Sequence, residues 1–203
     1  AIRRQRQMCI RDRTVIHDTE LAVRRKDPDF RIANLDYDDP DTYAMLAKGE
    51  TEGIFQLEST GMTQVLVGMR PKNLEDIIAL ISLYRPGPMD SIPTYLRNRK
   101  DPSHVTYKTP QMAHIVDVTN GVVIYQEQVM QICRELAGFS FGQADNVRRA
   151  MSKKKLKVME AEREHFVHGC KEPGKECAGC VANGVPENIA NEIYDDMISF
   201  ASY

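Results

Sequence analysis

Residues 126–138 read QEQVMQICRELAG, and this stretch decides the fold class. Its apolar residues recur every three or four positions, which predicts an amphipathic α-helix ended by Gly138. The predicted buried face comprises Val129, Met130, Ile132, Cys133, Leu136 and Ala137. Just upstream, residues 121–125 (GVVIY) form an apolar run that predicts a short buried strand or an extended approach to the helix.

The helical period continues on both sides of this stretch. Residues 144–166 form a long and heavily charged helical pattern, and another helix is predicted after Pro186. The buried face of that last helix comprises Ile189, Ala190, Ile193, Tyr194, Met197 and Ile198. Upstream, Asn73 opens a helix that Pro86 ends. Its predicted buried residues are Leu74, Ile77, Ile78, Leu80 and Ile81.

Shorter elements precede these helices. Asp39 as N-cap and Pro40 at the first helical position begin one helix. A repeat of apolar residues over 62–69 predicts a second, while residues 53–57 (GIFQL) alternate weakly and predict a short strand. Five or six helices with one or two short strands define a mainly α fold.

Composition excludes several classes of protein. The 203 residues contain 27 Lys and Arg against 29 Asp and Glu, so any nucleic-acid site must be local. Hydrophobic residues make up 42%, enough for a packed core, and no apolar run approaches the ~20 residues that a membrane helix needs. Five cysteines, three of them in one loop, favour a reducing cytoplasm over a disulfide framework. The P-loop, G-x-G-x-x-G, G-x-S-x-G and H-E-x-x-H motifs are absent.

The first thirteen residues differ from the rest of the chain. They read AIRRQRQMCIRDR, with five Arg and one Asp, and they resemble translated sequencing-adapter read-through. We therefore expect residues 1–13 to be a non-native stub; the alternative is a basic arm that binds nucleic acid. Because the chain starts without Met and no helix stop follows residues 198–200, we expect an internal piece of a longer protein.

The strongest chemical signal is the run RRAMSKKKLK at residues 148–157. Six of its ten residues are cationic and none is acidic, and like charges one helical turn apart repel each other. A bound anion would relieve that repulsion, since Arg and Lys both bind phosphate oxygens. The alternative is a solvated helix face, neutralised by the downstream carboxylates Glu160, Glu162 and Glu164.

Two further clusters allow chemistry. Tyr125, Gln126 and Gln128 lie at the start of a helix, where they could stack on or hydrogen-bond a nucleobase, or instead form an N-terminal cap. A possible zinc site uses the C-x₂-C spacing of Cys177 and Cys180. Its other candidate ligands are His165, His168 and Cys170. The alternative is an exposed, flexible loop over residues 171–179 with reduced thiols.

Five strings in order resemble the alpha (catalytic) subunit of bacterial DNA polymerase III, a C-family replicative polymerase. They are GIFQLES at 53–59, ALISLYRPGP at 79–88, GVVIYQEQVMQ at 121–131, RRAMSKKK at 148–155 and ISFASY at 198–203. Each string alone is weak, but five in order are specific. The resemblance covers about residues 14–203, and the DnaE-type form without a proofreading insertion fits better than the PolC type.

The resemblance implies a helical fingers domain, incomplete at both ends. Residues 14–52 would be the end of the palm and the start of the fingers, and residues 53–203 the truncated fingers. The full-length enzyme would be a DNA-directed DNA polymerase that adds dNTPs to a primer 3′ end during chromosomal replication. Its Mg²⁺ ions and catalytic aspartates would lie outside this chain, so the chain alone would be inactive.

The resemblance also implies site residues and partners. Arg148 and Arg149 would lie near the nucleotide triphosphate, with Lys153 and Lys154 as helpers. Residues that would line the nascent base-pair pocket are Tyr125, Gln126 and Gln128. The implied partners are primer–template DNA, dNTP and other replisome subunits including the sliding clamp, with no membrane. Two other classes stay open: a non-catalytic helical module that binds nucleic acid or protein, and a helical scaffold without a ligand.

Overall fold

The structure is a computed structural model that describes residues 2–153 and 155–201, with side chains for 13–151, 153, 155 and 157–198. These residues form ten α-helices joined by turns and short 3₁₀ segments, and no β-strand occurs within them. The mainly α fold class is therefore confirmed. The chain divides into two compact units, one ending at Asp39 and the other starting at Pro40.

The first unit contains helix α1 (Ile2–Val23) and a 3₁₀ turn at Ile32–Asn34. The Ile32 backbone N–H donates to Glu20 Oε2 at 3.0 Å, which ties the turn to the end of the helix. The backbone of α1 includes most of the proposed non-native stub, but the side chains of residues 1–12 lie outside the described part of the chain. The origin of the stub therefore stays a prediction.

The second unit has two hydrophobic cores, and the first is built by four helices: α2 (Pro40–Ala47), α3 (Thr60–Met69), α4 (Leu74–Leu83) and α5 (Ile92–Lys100). Leu66, Leu80 and Leu83 are fully buried there. Burying each such side chain contributes about 1.5–3 kcal/mol. The Asn73 side chain accepts from the Asp76 N–H at 3.0 Å, which confirms Asn73 as the cap of α4.

Five helices build the second core. They are α6 (Ala113–Val116), α7 (Gln126–Ala137), α8 (Phe141–Ser152), α9 (Leu156–His168) and α10 (Glu187–Ala201). The predicted buried faces of α7 and α10 are confirmed, and Gly138 ends α7 in the left-handed conformation with φ of 73°. The rings of Phe166 on α9 and Tyr194 on α10 pack with centroids 5.1 Å apart.

The strand predicted over residues 53–57 is wrong, whereas residues 121–125 take the second of their two predicted forms, an extended approach to the helix. Over residues 53–57 the backbone folds into successive turns, with Leu57 N–H bonded to Ile54 C=O and Gln56 at φ of 66°. Residues 122–124 lead into α7 without helical structure, and they do not pair with a strand within the described residues. The Ile124 N–H donates to the Gln128 side chain at 2.8 Å, so a side chain takes the place of a partner strand.

The single helix predicted over 144–166 is also wrong, because α8 ends at Ser152 and α9 starts at Leu156. The Lys155 N–H donates to Ala150 C=O at 2.8 Å across the break. The break falls inside the lysine triplet, where like charges destabilise a continuous helix. Lys154 lies outside the described residues.

The predicted buried face of α4 is partly wrong. Leu74 and Ile78 are 38% and 39% exposed, whereas Ala79 and Leu83 are buried at 4% and 0%. The helix instead turns the acidic residue Asp76 inward, where it is 4% exposed. A charged partner that is distant in sequence therefore sets the rotation of α4, and helical periodicity alone does not reveal it.

Candidate functional site

The last turns of α8 present two arginines to one carboxylate. Asp145 Oδ1 accepts from Arg148 Nε at 2.9 Å and from Arg148 Nη2 at 2.7 Å, and Asp145 Oδ2 lies 2.6 Å from Arg149 Nε. The helix itself creates this arrangement, since residues three and four positions apart share a face. One carboxylate thus orients two guanidinium groups, and the trio keeps a net positive charge.

The electrostatics of this trio follow from its hydrogen bonds. The Arg148 hydrogen bonds and the charges of Arg148 and Arg149 hold the pKa of Asp145 below its ordinary value, so the carboxylate is ionised at neutral pH. Arg149 is 63% exposed and Arg148 is 30% exposed, so the pair remains accessible to a ligand. Asp145 was not among the neutralising acids predicted from the sequence, which all lie downstream, although the spacing D-x-x-R-R at residues 145–149 is a signal for this pairing.

Arg148 also connects α8 with the start of α7. Its Nη1 donates to Gln126 Oε1 at 3.3 Å. The structure therefore brings together two of the residues that the sequence analysis selected from separate strings. Gln126 is exposed at the first turn of α7, beside the guanidinium group.

Gln128 has a structural role instead. Its side-chain oxygen accepts from the N–H groups of Ile124 at 2.8 Å and Tyr125 at 2.9 Å. Its amide nitrogen donates to Ile115 C=O at 3.0 Å and to Thr119 Oγ1 at 2.7 Å. The side chain is buried and all its hydrogen-bonding groups are used, so the alternative interpretation of an N-terminal cap describes this residue.

Tyr125 is half-buried and packs against the first core. It lines a cleft of about 260 Å³ together with Tyr95, Glu75 and Arg99. Burial, followed by the nearby Tyr95 and Glu75, raises the pKa of the Tyr125 hydroxyl to about 12, so the hydroxyl is neutral at physiological pH. Its ring is the aromatic surface nearest in sequence to Gln126.

Arg149 and the lysines have different surroundings. Arg149 lines a cleft of about 520 Å³ whose walls also include Asp145, Glu162 and Lys175. The described lysines in the break and in the first turn of α9 are exposed: Lys153, Lys155 and Lys157. The prediction for Lys154 falls outside the described residues.

The cysteine-containing loop closes on itself. Cys170 and Cys177 pair in antiparallel fashion, with backbone N–H···O=C bonds of 3.0 Å and 2.9 Å. At its base, Gly169 and Gly179 both have positive φ, and a Cβ added to Gly179 would lie 2.3 Å from the Gly169 nitrogen. Only glycine permits this approach.

The thiols of this loop are less exposed than predicted. Cys180 is fully buried and Cys170 is 9% exposed, because the loop folds back onto α9. The thiols of the four cysteines with described side chains are free. Across the part of the chain that the structure describes, no three His, Cys, Asp or Glu side chains are arranged to hold a metal ion. The described residues therefore offer no ligand set for zinc or for Mg²⁺.

The site and the fold define a class of protein: an all-helical module with two cores that presents an oriented arginine pair at a helix end. Residues 12–174 match the family model described as bacterial DNA polymerase III alpha subunit finger domain. The chain therefore belongs to the family of bacterial DNA polymerase III alpha subunits, and it carries the finger domain of that family.

Relatives support the same assignment. The chain is 44% identical over 195 residues to the DNA polymerase III subunit alpha of Staphylococcus aureus strain Mu50, covering 96% of this chain. The identity and coverage are the same for the DNA polymerase III subunit alpha of Staphylococcus epidermidis. The chain spans 17% of the length of these curated relatives. Among the described helices, none is long and apolar enough to cross a membrane.

Proposed function

We propose that this chain supplies the nucleotide-binding part of a DNA-directed DNA polymerase, a nucleotidyltransferase that adds dNTPs to a primer 3′ end during chromosomal replication. Family membership supports the reaction class. The observation that carries the site is the arginine pair of α8, oriented by Asp145 and accessible beside Gln126.

The chemistry of the pair suits a triphosphate. A guanidinium group presents planar, fixed N–H donors that match phosphate oxygens, and two such groups on one helix turn cover neighbouring phosphates. Because Asp145 already holds both side chains, less conformational entropy is lost when the nucleotide binds. Fixed positive charge at this point stabilises the negative charge that develops during phosphoryl transfer.

The remaining predicted residues complete this proposal. Lys153 and Lys154 follow the pair closely in sequence and would add positive charge for the triphosphate, while the Tyr125 ring and the Gln126 amide would line the pocket of the nascent base pair. Gln128 supports the pocket indirectly, since it holds the backbone of Ile124 and Tyr125.

The metal ions belong elsewhere in the proposed enzyme. The family implies Mg²⁺ held by carboxylates, and such carboxylate clusters are absent from the described residues. We therefore expect this chain alone to give no primer extension, and extension by the purified chain would contradict the proposal. The proposed enzyme is cytoplasmic, and it binds primer–template DNA and other replisome subunits including the sliding clamp.

The proposed domain boundaries follow the family resemblance. Residues 14–52 would form the end of the palm and the start of the fingers, and residues 53–203 the fingers. Proteolysis of the full-length subunit offers a test: a protected fragment starting near residue 52 would support this boundary, and one starting near residue 40, where the second compact unit begins, would contradict it.

The decisive experiment uses the full-length subunit with Arg148→Ala or Arg149→Ala. We expect nucleotide incorporation, measured as kcat/KM for dNTP, to fall about 10²–10³-fold, because a charge-stabilising donor is lost. Lys171→Ala is the matched control, since Lys171 is an exposed cation in the cysteine-containing loop. Unchanged kcat and KM in both arginine variants would reject the nucleotide-binding role.

A further inference from the structure

A second cationic surface lies between the end of α3 and α5, and it shares no lining residue with the cleft at Arg149. It is an open cleft of about 960 Å³, larger than the one at Arg149. Five of its ten lining residues are cationic: Arg70, Lys72, Arg97, Arg99 and Lys100. No Asp or Glu is among the ten. We call these five residues the α3–α5 cleft cations.

One of the five cations is neutralised by a buried carboxylate. Arg99 Nη1 and Nη2 each lie 2.6 Å from an oxygen of Asp76, which is buried and does not itself line the cleft. Asp76 Oδ2 also accepts from the Lys72 N–H at 2.7 Å, which fixes the backbone at the cleft edge. This carboxylate therefore builds the cleft while leaving the other positive charges unbalanced.

The other four cations have no such partner. Arg70, Lys72, Arg97 and Lys100 are exposed, and none of them takes part in an ion pair within the described residues. The cleft thus concentrates about four uncompensated positive charges on one concave surface. The resulting positive electrostatic potential attracts anions.

The backbone adds an independent observation. Arg70 ends α3 in the left-handed conformation, with φ of 52°, at a position that usually carries glycine. A left-handed residue other than glycine costs roughly 1–2 kcal/mol. The Arg70 N–H closes α3 by donating to Leu66 C=O at 3.0 Å, and strained backbone of this kind is typical of binding sites.

The shape indicates the kind of anion. The cations stand on two segments, residues 70–72 and 97–100, that face each other across a space much larger than one phosphate. The apolar side chains of Val67 and Leu96 line the same space and offer apolar surface to sugar carbons. Repeated negative charges joined by apolar sugars are the chemistry of a polynucleotide strand.

We propose that the α3–α5 cleft binds the sugar–phosphate backbone of a DNA strand, as a site separate from the arginine pair of α8. The choice of DNA as the polyanion rests on the proposed function. The location of the cleft and its cationic residues come from the structure alone. Phosphate binding of this kind positions a strand without reading its sequence, so the cleft contributes affinity and strong salt dependence.

The test replaces the four unpaired cations in the full-length subunit, as Arg70→Gln, Lys72→Gln, Arg97→Gln and Lys100→Gln combined. Arg99 is kept because of its buried partner. Fluorescence anisotropy measures Kd for a labelled primer–template between about 50 and about 200 mM salt. We expect Kd to rise at least ~10-fold, and the slope of log K against log salt to fall by about 0.9 for each phosphate that the variant no longer neutralises.

A matched control removes the same charge elsewhere: Lys26→Gln, Lys48→Gln, Arg85→Gln and Lys171→Gln combined, all at exposed positions. Its salt slope should match that of the parent protein. An unchanged slope in the cleft variant, or an equal drop in the control, overturns the proposal. A thermal melt verifies that the cleft variant is folded, and the two double variants at 70/97 and 72/100 replace it where it is not.

The two proposals fail separately. At saturating DNA, the cleft variant should keep its KM for dNTP, whereas Arg148→Ala should change nucleotide incorporation and leave the salt slope for DNA unchanged. A normal salt slope in the cleft variant together with impaired nucleotide incorporation in Arg148→Ala would reject only the proposal that the cleft binds DNA. The reverse result would remove only the nucleotide site.

Discussion

Two arginine–aspartate arrangements in this molecule use the same chemical groups for different ends. At the end of α8, Asp145 and Arg149 are 18% and 63% exposed, and both arginines come from the same helix as their carboxylate. At the α3–α5 cleft, the side chain of Asp76 is only 6% exposed and pairs with Arg99, 23 residues away. The first arrangement orients side chains locally, whereas the second joins α4 to α5.

Burial decides the energetic difference between the two. An ion pair within one helix that stays accessible to water contributes much less stability than a buried one, because water screens its charges. Removing one partner of a buried ion pair lowers the free energy of unfolding by several kcal/mol, because the remaining charge is buried without compensation. Substituting an arginine of the α8 pair should therefore cost little folding stability, whereas substituting Asp76, which holds the α3–α5 cleft together, should cost much.

The largest expected effect is therefore at Asp76. Asp76→Ala leaves Arg99 and the Lys72 N–H without their buried acceptor, and should lower the free energy of unfolding by about 3–5 kcal/mol. Urea unfolding measures this loss. Asp145→Ala is the matched control, with an expected loss several-fold smaller, because its ion pairs are screened by water. Similar losses in the two variants would erase the distinction between them.

A smaller effect is expected at Gln128, which separates structural from ligand-facing residues at the start of α7. Gln128→Met keeps the volume but leaves buried groups such as Ile124 N–H and Ile115 C=O without partners. Stability should fall by about 2–3 kcal/mol in urea unfolding. In the exposed control Gln126→Met the loss should stay within about 0.5 kcal/mol, and an equal loss there would contradict the assignment.

The smallest effect concerns pH. The pKa of Asp145 is lower in the folded chain than in the unfolded chain, because Arg148 and Arg149 favour its ionised form. The unfolded state therefore binds more protons, and the stability that Asp145 contributes is present above about pH 4 and lost as the pH falls through its folded pKa. The difference in melting temperature between the parent and Asp145→Asn should shrink from about pH 6 to about pH 3. A constant difference would show that the charge is irrelevant.

Helices with strong periodicity and clear end signals were predictable from the sequence. Their signals depend only on neighbours within four residues. Examples are the period of α7 and its end at Gly138, the cap of α4 at Asn73 and the buried face of α10. Of the two alternatives for residues 121–125, the extended approach is the one found, because the Gln128 side chain occupies the backbone groups that a partner strand would need. Composition gives no sign of that hydrogen bond.

The site was predictable only in part. Arg148 and Gln126 were selected from the sequence, and the structure brings them within 3.3 Å. The α3–α5 cleft was not predicted, because residues 70–72 and 97–100 meet only through the packing of two helices. Asp76 looked like an ordinary acid in a first helical turn, and its pairing with Arg99 depends on tertiary packing that no local pattern encodes.

The break between α8 and α9 has a practical consequence for mutational scanning. A scan through residues 148–157 would normally be interpreted with one angular repeat of about 3.6 residues. Here the repeat restarts after Lys155, since α9 begins at Leu156. Substitutions before the break and those after it must therefore be assigned to the faces of two separate helices. A single helical wheel drawn over all ten positions would group residues that never share a side.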